Sequence, residues 1–256
     1  MRVLITNDDG INAPGLLALA NAFSGAGHRV SVCAPDRERS GASHGVTLTR
    51  PLHAVPVQLP GAARAWAADG TPSDCARLGL YLLRGEGVDL VVSGINRGMN
   101  QGGACVYSGT VAAALEAAMS GTQAMAVSLC TMAFGGRDDN DYAPAARVGL
   151  RVAEWLWRHP QPRGVILNLN VPALPYGEIR GIVPATLAPI FLEAPAYVEG
   201  ADDRGPNYLY CNGEGLPLDD PEYDVVRSDR GYATLTKLTW DFRLNADDGE
   251  LGEIRL

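Results

Sequence analysis

Two adjacent carboxylates, Asp8 and Asp9, lie in the turn Asn7-Asp8-Asp9-Gly10, directly behind the short apolar stretch Met1 to Thr6. That stretch is rich in β-branched residues and bounded by a turn signal, so it reads as a buried parallel strand. Neighbouring carboxylates repel unless something compensates them, and a divalent cation does so directly. In open α/β sheets ligands gather at the carboxyl ends of strands, where this pair falls. The same four residues also suit a plain turn with an Asx cap for the next helix. What decides between the two is which other groups the chain brings to that end of a sheet.

Three further segments offer such groups. The loop Arg37 to Gly45 is polar and Gly-rich and contains Ser40. Gly94 to Gly103 carries Asn96, Arg97 and Asn100, with glycines that let backbone approach a ligand closely. Ser108-Gly109-Thr110 opens an Ala-rich helix, with Ser108 as candidate N-cap and free backbone N–H groups that form an anion site. Carboxylate, hydroxyl and amide oxygens are hard ligands, suited to Mg²⁺, Mn²⁺ or Ca²⁺. Zinc would bring His or Cys, and the four His residues show no ligand spacing. Two Asp charges balance a dication, and a phosphate can meet both the cation and the helix N-terminus. That chemistry fits hydrolysis of a phosphomonoester by a metal-activated water. The rival route is attack by Asp8 on phosphorus to form an aspartyl-phosphate. The residues leave both open, although the Asp-x-Asp pattern with a remote Lys is missing.

The elements that must position these groups follow from periodicity. Pro14 to about Ser24 reads as a helix and Arg29 to Ala34 as a second strand, making a β-α-β unit without G-x-G-x-x-G. The missing glycines disfavour a nicotinamide oxidoreductase. Two or three short strands are expected in 46–68, then a helix from the N-cap Thr71 and Pro72 to about Arg84. Strands are expected at Val88 to Ser93, Ala124 to Leu129 and Gly164 to Val171. Helices are expected at Val111 to Ser120 and Tyr142 to His159, the latter packing Trp155 and Trp157. His44 reads as a solvated loop residue, Asp36 and Asp74 as structural caps, and Arg97 as a candidate for neutralising phosphate charge.

The resulting fold class is α/β, Rossmann-like, with a mostly parallel sheet and helices on both faces over residues 1–178. Residues 179–256, rich in Pro, Gly and acidic groups, read as a β-rich C-terminal extension or oligomerisation arm. With 21 Lys+Arg against 29 Asp+Glu, the net charge is −8, which argues against extended nucleic acid as a partner. Lys237 is the sole Lys, so a Lys-dependent mechanism is disfavoured. The five Cys are widely spread, as small buried residues of a reducing compartment would be. Charged residues by position 8 leave no room for a secretory core, and no apolar run spans a bilayer. A cytoplasmic protein with no membrane partner is expected.

Read together and in order, Asn7-Asp8-Asp9-Gly10, Pro35-Asp36-Arg37 with Arg39-Ser40-Gly41, Gly70-Thr71-Pro72-x-Asp74-Cys75, Ser93-Gly94-Ile95-Asn96-Arg97-Gly98-x-Asn100, Ser108-Gly109-Thr110-Val111 and Leu167-Asn168-Leu169-Asn170-Val171-Pro172 closely resemble the SurE family of survival-protein nucleotidases. Asp224 and Gly231 to Thr236 resemble its late strand motif. The resemblance implies a 5′-nucleotidase, a metal-dependent phosphatase acting on nucleoside 5′- and 3′-monophosphates and in some members on short polyphosphate. It implies one divalent cation per subunit, held by Asp8, Asp9, Ser40 and Asn96, with Asp8 and Asp9 as the catalytic pair. Phosphate would be held by Asn100, Ser108, Gly109 and Thr110, in a homodimer or homotetramer that exchanges its C-terminal extension. The chain departs from the family pattern at Met99, where Pro is common, at Gly103-Ala104, where acidic residues are frequent, and across 183–197, which lacks basic residues. A non-catalytic nucleotide or anion sensor on the same scaffold is the alternative reading.

Overall fold

The computed structural model describes residues 1–131, 138–189, 196–211 and 218–241. In chain order the elements are β1 (Arg2–Thr6), α1 (Pro14–Gly25), β2 (Arg29–Pro35), β3 (Ala54–Val57), β4 (Arg64–Ala68), α2 (Pro72–Leu82), β5 (Leu90–Arg97), α3 (Gly109–Met119), β6 (Ala124–Cys130), α4 (Ala143–Arg158), β7 (Val165–Pro172), β8 (Ile182–Pro184), β9 (Ala196–Asp202), β10 (Gly205–Cys211), α5 (Asp224–Asp229) and β11 (Ala233–Thr239).

Among the described residues, nine strands form one sheet in the order β3-β4-β2-β1-β5-β6-β7-β11-β8. The run from β4 to β7 is parallel throughout. The fold is α/β and Rossmann-like, with its sheet covered on both faces. Period-two geometry explains why β1 is apolar along its length. Val3 and Ile5 pack with Leu16, Leu19 and Phe23 of α1 and Val148 and Val152 of α4. Leu4 turns to the opposite face, against Cys75 of α2 and Val111, Ala114 and Ala117 of α3. Burying each such side chain contributes about 1.5–3 kcal/mol, and successive residues of β1 bury theirs on alternate faces. The chain leaves β1 toward β2 on one side and later returns to β5 on the other. The crevice beyond the carboxyl ends of β1 and β5 is therefore the topological switch point, where such sheets bind ligands.

Two close approaches pin that crevice. The α1 residue Gly15 sits so near β5 that a Cβ there would lie 2.2 Å from the carbonyl oxygen of Ile95, the residue before Asn96. The Gly15→Ala variant is expected to lose about 1–3 kcal/mol of stability, because the helix and strand must part. Thermal denaturation should show a lower Tm; an unchanged Tm would mean that the strand shifts freely. At the start of α2, the Thr71 hydroxyl accepts from the Asp74 N–H (3.1 Å) and the Asp74 carboxylate accepts from the Thr71 N–H (3.0 Å). Asp74 also accepts the Thr47 hydroxyl at 2.6 Å, so its part is structural, as expected.

The C-terminal segment is β-rich, as expected, and β8 and β11 join the core sheet. β11 lies antiparallel on β7, from Thr234↔Asn170 to Thr239↔Val165, and β8 lies parallel on β11. A boundary at 178 would cut this sheet, whose β7 edge needs a partner for its backbone groups. Among the described residues, only β9 and β10 form a sheet of their own, an antiparallel hairpin. Trp155 and Trp157 also depart from expectation: they are 41% and 57% exposed. The buried face of α4 runs through Ala145, Val148, Val152 and Leu156, and helical spacing places both Trp residues off that stripe. Trp155 stacks on His159, with ring centroids 4.6 Å apart. No described helix is long and apolar enough to cross a membrane.

Candidate active site

The turn after β1 satisfies both readings of its four residues. Asn7 closes it, donating from Nδ2 to the Gly10 carbonyl (2.9 Å) and accepting the Gly10 N–H (3.2 Å). The two carboxylates are thereby released from turn-making and directed at the switch point. Asp8 is almost fully buried. It accepts the Thr110 N–H at 3.2 Å and the Thr110 hydroxyl as well. Asp9 accepts the Arg97 N–H at 3.0 Å. Burial pushes the Asp8 carboxyl above the ordinary carboxylate range, against the pull of the Thr110 bonds. Asp9 is pushed up to about 7, by burial first and then by the charge of Asp8. Gly109 makes room for the pair: a Cβ there would stand 3.0 Å from the Asp8 Cβ.

Asp8, Asp9, Ser40, Asn96, Asn100 and Ser108 all line one cavity of about 500 Å³. Asn96, expected in a loop, is instead on the last residues of β5, after a register shift between Ser93 and Asn96. Its Nδ2 donates to the Gly98 carbonyl at 2.8 Å. Ser40 donates its hydroxyl to Glu38 at 2.8 Å. The Ser40 loop is held from three sides. Arg39 N–H donates to the Asp8 carbonyl (2.7 Å), the Ser43 hydroxyl to the Val106 carbonyl (2.7 Å), and the Thr71 hydroxyl to the Gly45 carbonyl (2.7 Å). His44 belongs to this anchoring: its Nε2 lies 2.9 Å from Glu116 of α3, and it does not line the cavity.

Thr110 is placed differently from its expected phosphate role. Its N–H and hydroxyl both serve Asp8, and neither it nor Gly109 lines the cavity. The reason is geometric: α3 begins at Gly109, directly after its N-cap, so its first turn closes on Asp8. Ser108 is the N-cap, as expected, and accepts the Val111 N–H at 3.1 Å.

Asn100 rests on a buried polar scaffold. It exchanges hydrogen bonds with Asn170 of β7: its N–H donates to Oδ1 (2.8 Å), and its carbonyl accepts from Nδ2 (2.9 Å). Asn168 donates to the same carbonyl at 2.9 Å, and the Asn100 side chain donates to Ser128 of β6 at 2.8 Å. The alternation Leu167-Asn168-Leu169-Asn170 puts leucines toward the core and asparagines toward this loop. Asp224 of α5 then accepts the Gly102 N–H at 2.9 Å. Asn170→Ala strips two partners from a buried backbone and is expected to cost roughly 1–3 kcal/mol in urea unfolding. A loss below about 0.5 kcal/mol would show that the loop stands without β7.

Several residues of the cavity were not singled out from the sequence. Glu38 could have been, since it sits two positions before Ser40 in the same polar loop. Asp138 lines the cavity and accepts the Tyr142 hydroxyl at 2.7 Å, and it adds to the upward push on Asp9. Nothing in its local sequence announces it. Arg97 lines the cavity too, with its main chain committed to Asp9. The departures at Met99 and Ala104 both fall on the cavity wall; of the 183–197 stretch, 190–195 lie outside the described residues.

The donor set suits a hard dication. It combines two carboxylates raised in pKa first by burial, Asp8 almost fully buried and Asp9 half-buried, with the hydroxyl and amide oxygens of Ser40 and Asn96. Among the described residues no group of three or more His, Cys, Asp or Glu is placed to hold a metal ion.

Residues 3–190 match the family model described as survival protein SurE. A protein named 5′-nucleotidase SurE from Gloeobacter violaceus is 43% identical over 256 residues, spanning 98% of this chain and 95% of its own length. One of the same name from Carboxydothermus hydrogenoformans is 38% identical over 244 residues, spanning 94% and 91%. The crystal structure of the SurE protein from Aquifex aeolicus superposes with a TM-score of 0.80 at 32% identity, covering 95% of each chain.

Proposed function

The chain belongs to the SurE family, and from that premise we propose that it is a 5′-nucleotidase, a divalent-metal-dependent phosphomonoesterase of nucleoside 5′- and 3′-monophosphates. The observation that carries this reading is the Asp8–Asp9 pair at the β1/β5 switch point, Asp8 almost fully buried, sharing one cavity with Ser108, the N-cap of α3. Asp8, Asp9, Ser40 and Asn96 would hold one Mg²⁺ or Mn²⁺. When bound, the cation polarises the phosphoryl oxygens and acidifies a water.

The chain's own groups do the rest. Asp8 and Asp9 supply the negative charge that recruits the cation, and Thr110 orients Asp8 through its two hydrogen bonds. Ser108, the N-cap of α3, and Asn100 border the space for the phosphate oxygens, and the α3 dipole favours an anion there. Arg97 borders the same space and would offset phosphate charge. The β9–β10 hairpin supports assembly into a homodimer or homotetramer. It exposes Tyr197, Val198 and Tyr208, and a two-stranded hairpin is marginal without a partner surface.

The deciding experiment is phosphate release from nucleoside 5′- and 3′-monophosphates and p-nitrophenyl phosphate, with Mg²⁺, Mn²⁺ or EDTA. Turnover that needs the cation and favours nucleotides is expected. Nucleotide binding without turnover under any metal would replace the enzyme by a sensor.

A further inference from the structure

Resting on the nucleotidase reading, we propose that Tyr107 is the platform on which the substrate's base stacks, so that purine nucleotides are preferred over pyrimidine nucleotides and over phosphomonoesters without a base. Among the described residues Tyr107 is the one aromatic side chain that lines the cavity, and it is 69% exposed. It immediately precedes Ser108, the N-cap of the helix that receives phosphate in this reading. A nucleotide anchored there by its phosphate carries its base outward past this ring.

The backbone beneath the ring is firmly held. The Tyr107 N–H donates to the Ala104 carbonyl at 3.0 Å, and the Tyr107 carbonyl accepts the Ser43 N–H at 3.1 Å. Ser43 also donates its hydroxyl to the Val106 carbonyl at 2.7 Å. The loop carrying Ser40 therefore fixes the backbone that carries the ring relative to the proposed metal-binding groups, while the ring itself packs into no core. An exposed aromatic ring on a fixed backbone beside an anion site is an arrangement that reads unpaired bases, because every base presents a π face and purines present the larger one. The cavity floor, made of Asp8, Asp9, Asn96 and Asn100, offers a base no such surface.

The test compares wild type, Tyr107→Ala and Tyr107→Phe in Mn²⁺, on adenosine 5′-monophosphate, cytidine 5′-monophosphate and ribose 5-phosphate. Equilibrium dialysis of adenosine provides a readout independent of turnover. Removing the ring should raise KM for adenosine 5′-monophosphate about tenfold, raise it less for the cytidine nucleotide, and leave KM for ribose 5-phosphate and every kcat within about twofold. Tyr107→Phe should match wild type, and adenosine binding should weaken in parallel with the KM effect. An equal rise for all three substrates, or none, overturns the platform. So does a changed sedimentation coefficient for Tyr107→Ala, which would assign the ring to a subunit contact. If the wild type hydrolyses none of the three yet loses adenosine binding in Tyr107→Ala, the platform stands and the nucleotidase reading falls.

Discussion

Asp8→Asn is expected to reduce metal-dependent phosphate release by about 10³-fold or more, as loss of a direct metal ligand exceeds the 10–100-fold typical of outer-shell changes. The substitution is isosteric, so the carboxamide oxygen it introduces can still accept from Thr110, and the turn closed by Asn7 and Gly10 is untouched. The charge is what disappears. Burial already disfavours the Asp8 carboxylate, so removing it should leave the metal-free protein at least as stable as wild type near neutral pH. Loss of activity with an undiminished Tm would therefore separate a ligand role from a folding role. Mn²⁺ binding followed by electron paramagnetic resonance should weaken in step. An Asp8→Asn variant retaining more than about a tenth of wild-type turnover would be incompatible with the ligand role.

The metal-free protein is expected to lose stability as pH rises from 5 to 8, and saturating Mg²⁺ should abolish the loss. Asp9 titrates at about 7 in the folded chain, against 3.8 for the free side chain. Below the unfolded value both states hold the proton, and its stabilising contribution is complete. Between the two values the unfolded chain releases the proton and the folded chain keeps it. Stability from this group then falls by about 1.4 kcal/mol per pH unit until the folded value is passed, on the order of 4 kcal/mol in all. Groups shifted downward, such as Asp74, contribute at lower pH and do not disturb this window. Calorimetry in EDTA across pH 5–8, with Asp9→Asn as control, measures the slope; the control should be flatter. Because a cation binds the ionised pair, its affinity should rise toward pH 7 and then level off. A metal-free Tm independent of pH over this range would show that Asp9 is already ionised and solvated.

Much of this arrangement could be read along the chain. Short β-branched runs ended by turn residues marked β1, β2, β6 and β7, because strand and turn preferences act over a few residues. The oxygen-donor character of Asp8, Asp9, Ser40 and Asn96 is a property of residue type, and so is the unsuitability of the His residues for zinc. The expectation failed where distant segments set the outcome. The β character of the C-terminal residues could be read, but not their partner, because Pro and Gly break local periodicity there; β11 pairs with β7. Trp155 and Trp157 looked like packing residues because large aromatics usually are, yet the turn of α4 leaves both partly in solvent.

By itself the sequence determined the strand-and-helix order, the placing of the two carboxylates behind the first strand, and the hard-oxygen chemistry available there. Tertiary structure decided which of those groups serve one another. Thr110 meets Asp8 across 102 residues, Asn170 holds Asn100 across 70, and Asp224 holds Gly102 across 122. It also brought Glu38, Asp138 and Tyr107 to the cavity and raised Asp9 to about 7. The physical reason is that side-chain character and turn preference are local. Burial and hydrogen-bond partnership exist only once segments far apart in the chain are packed together, and those two quantities set the charge and reach of every group in the site.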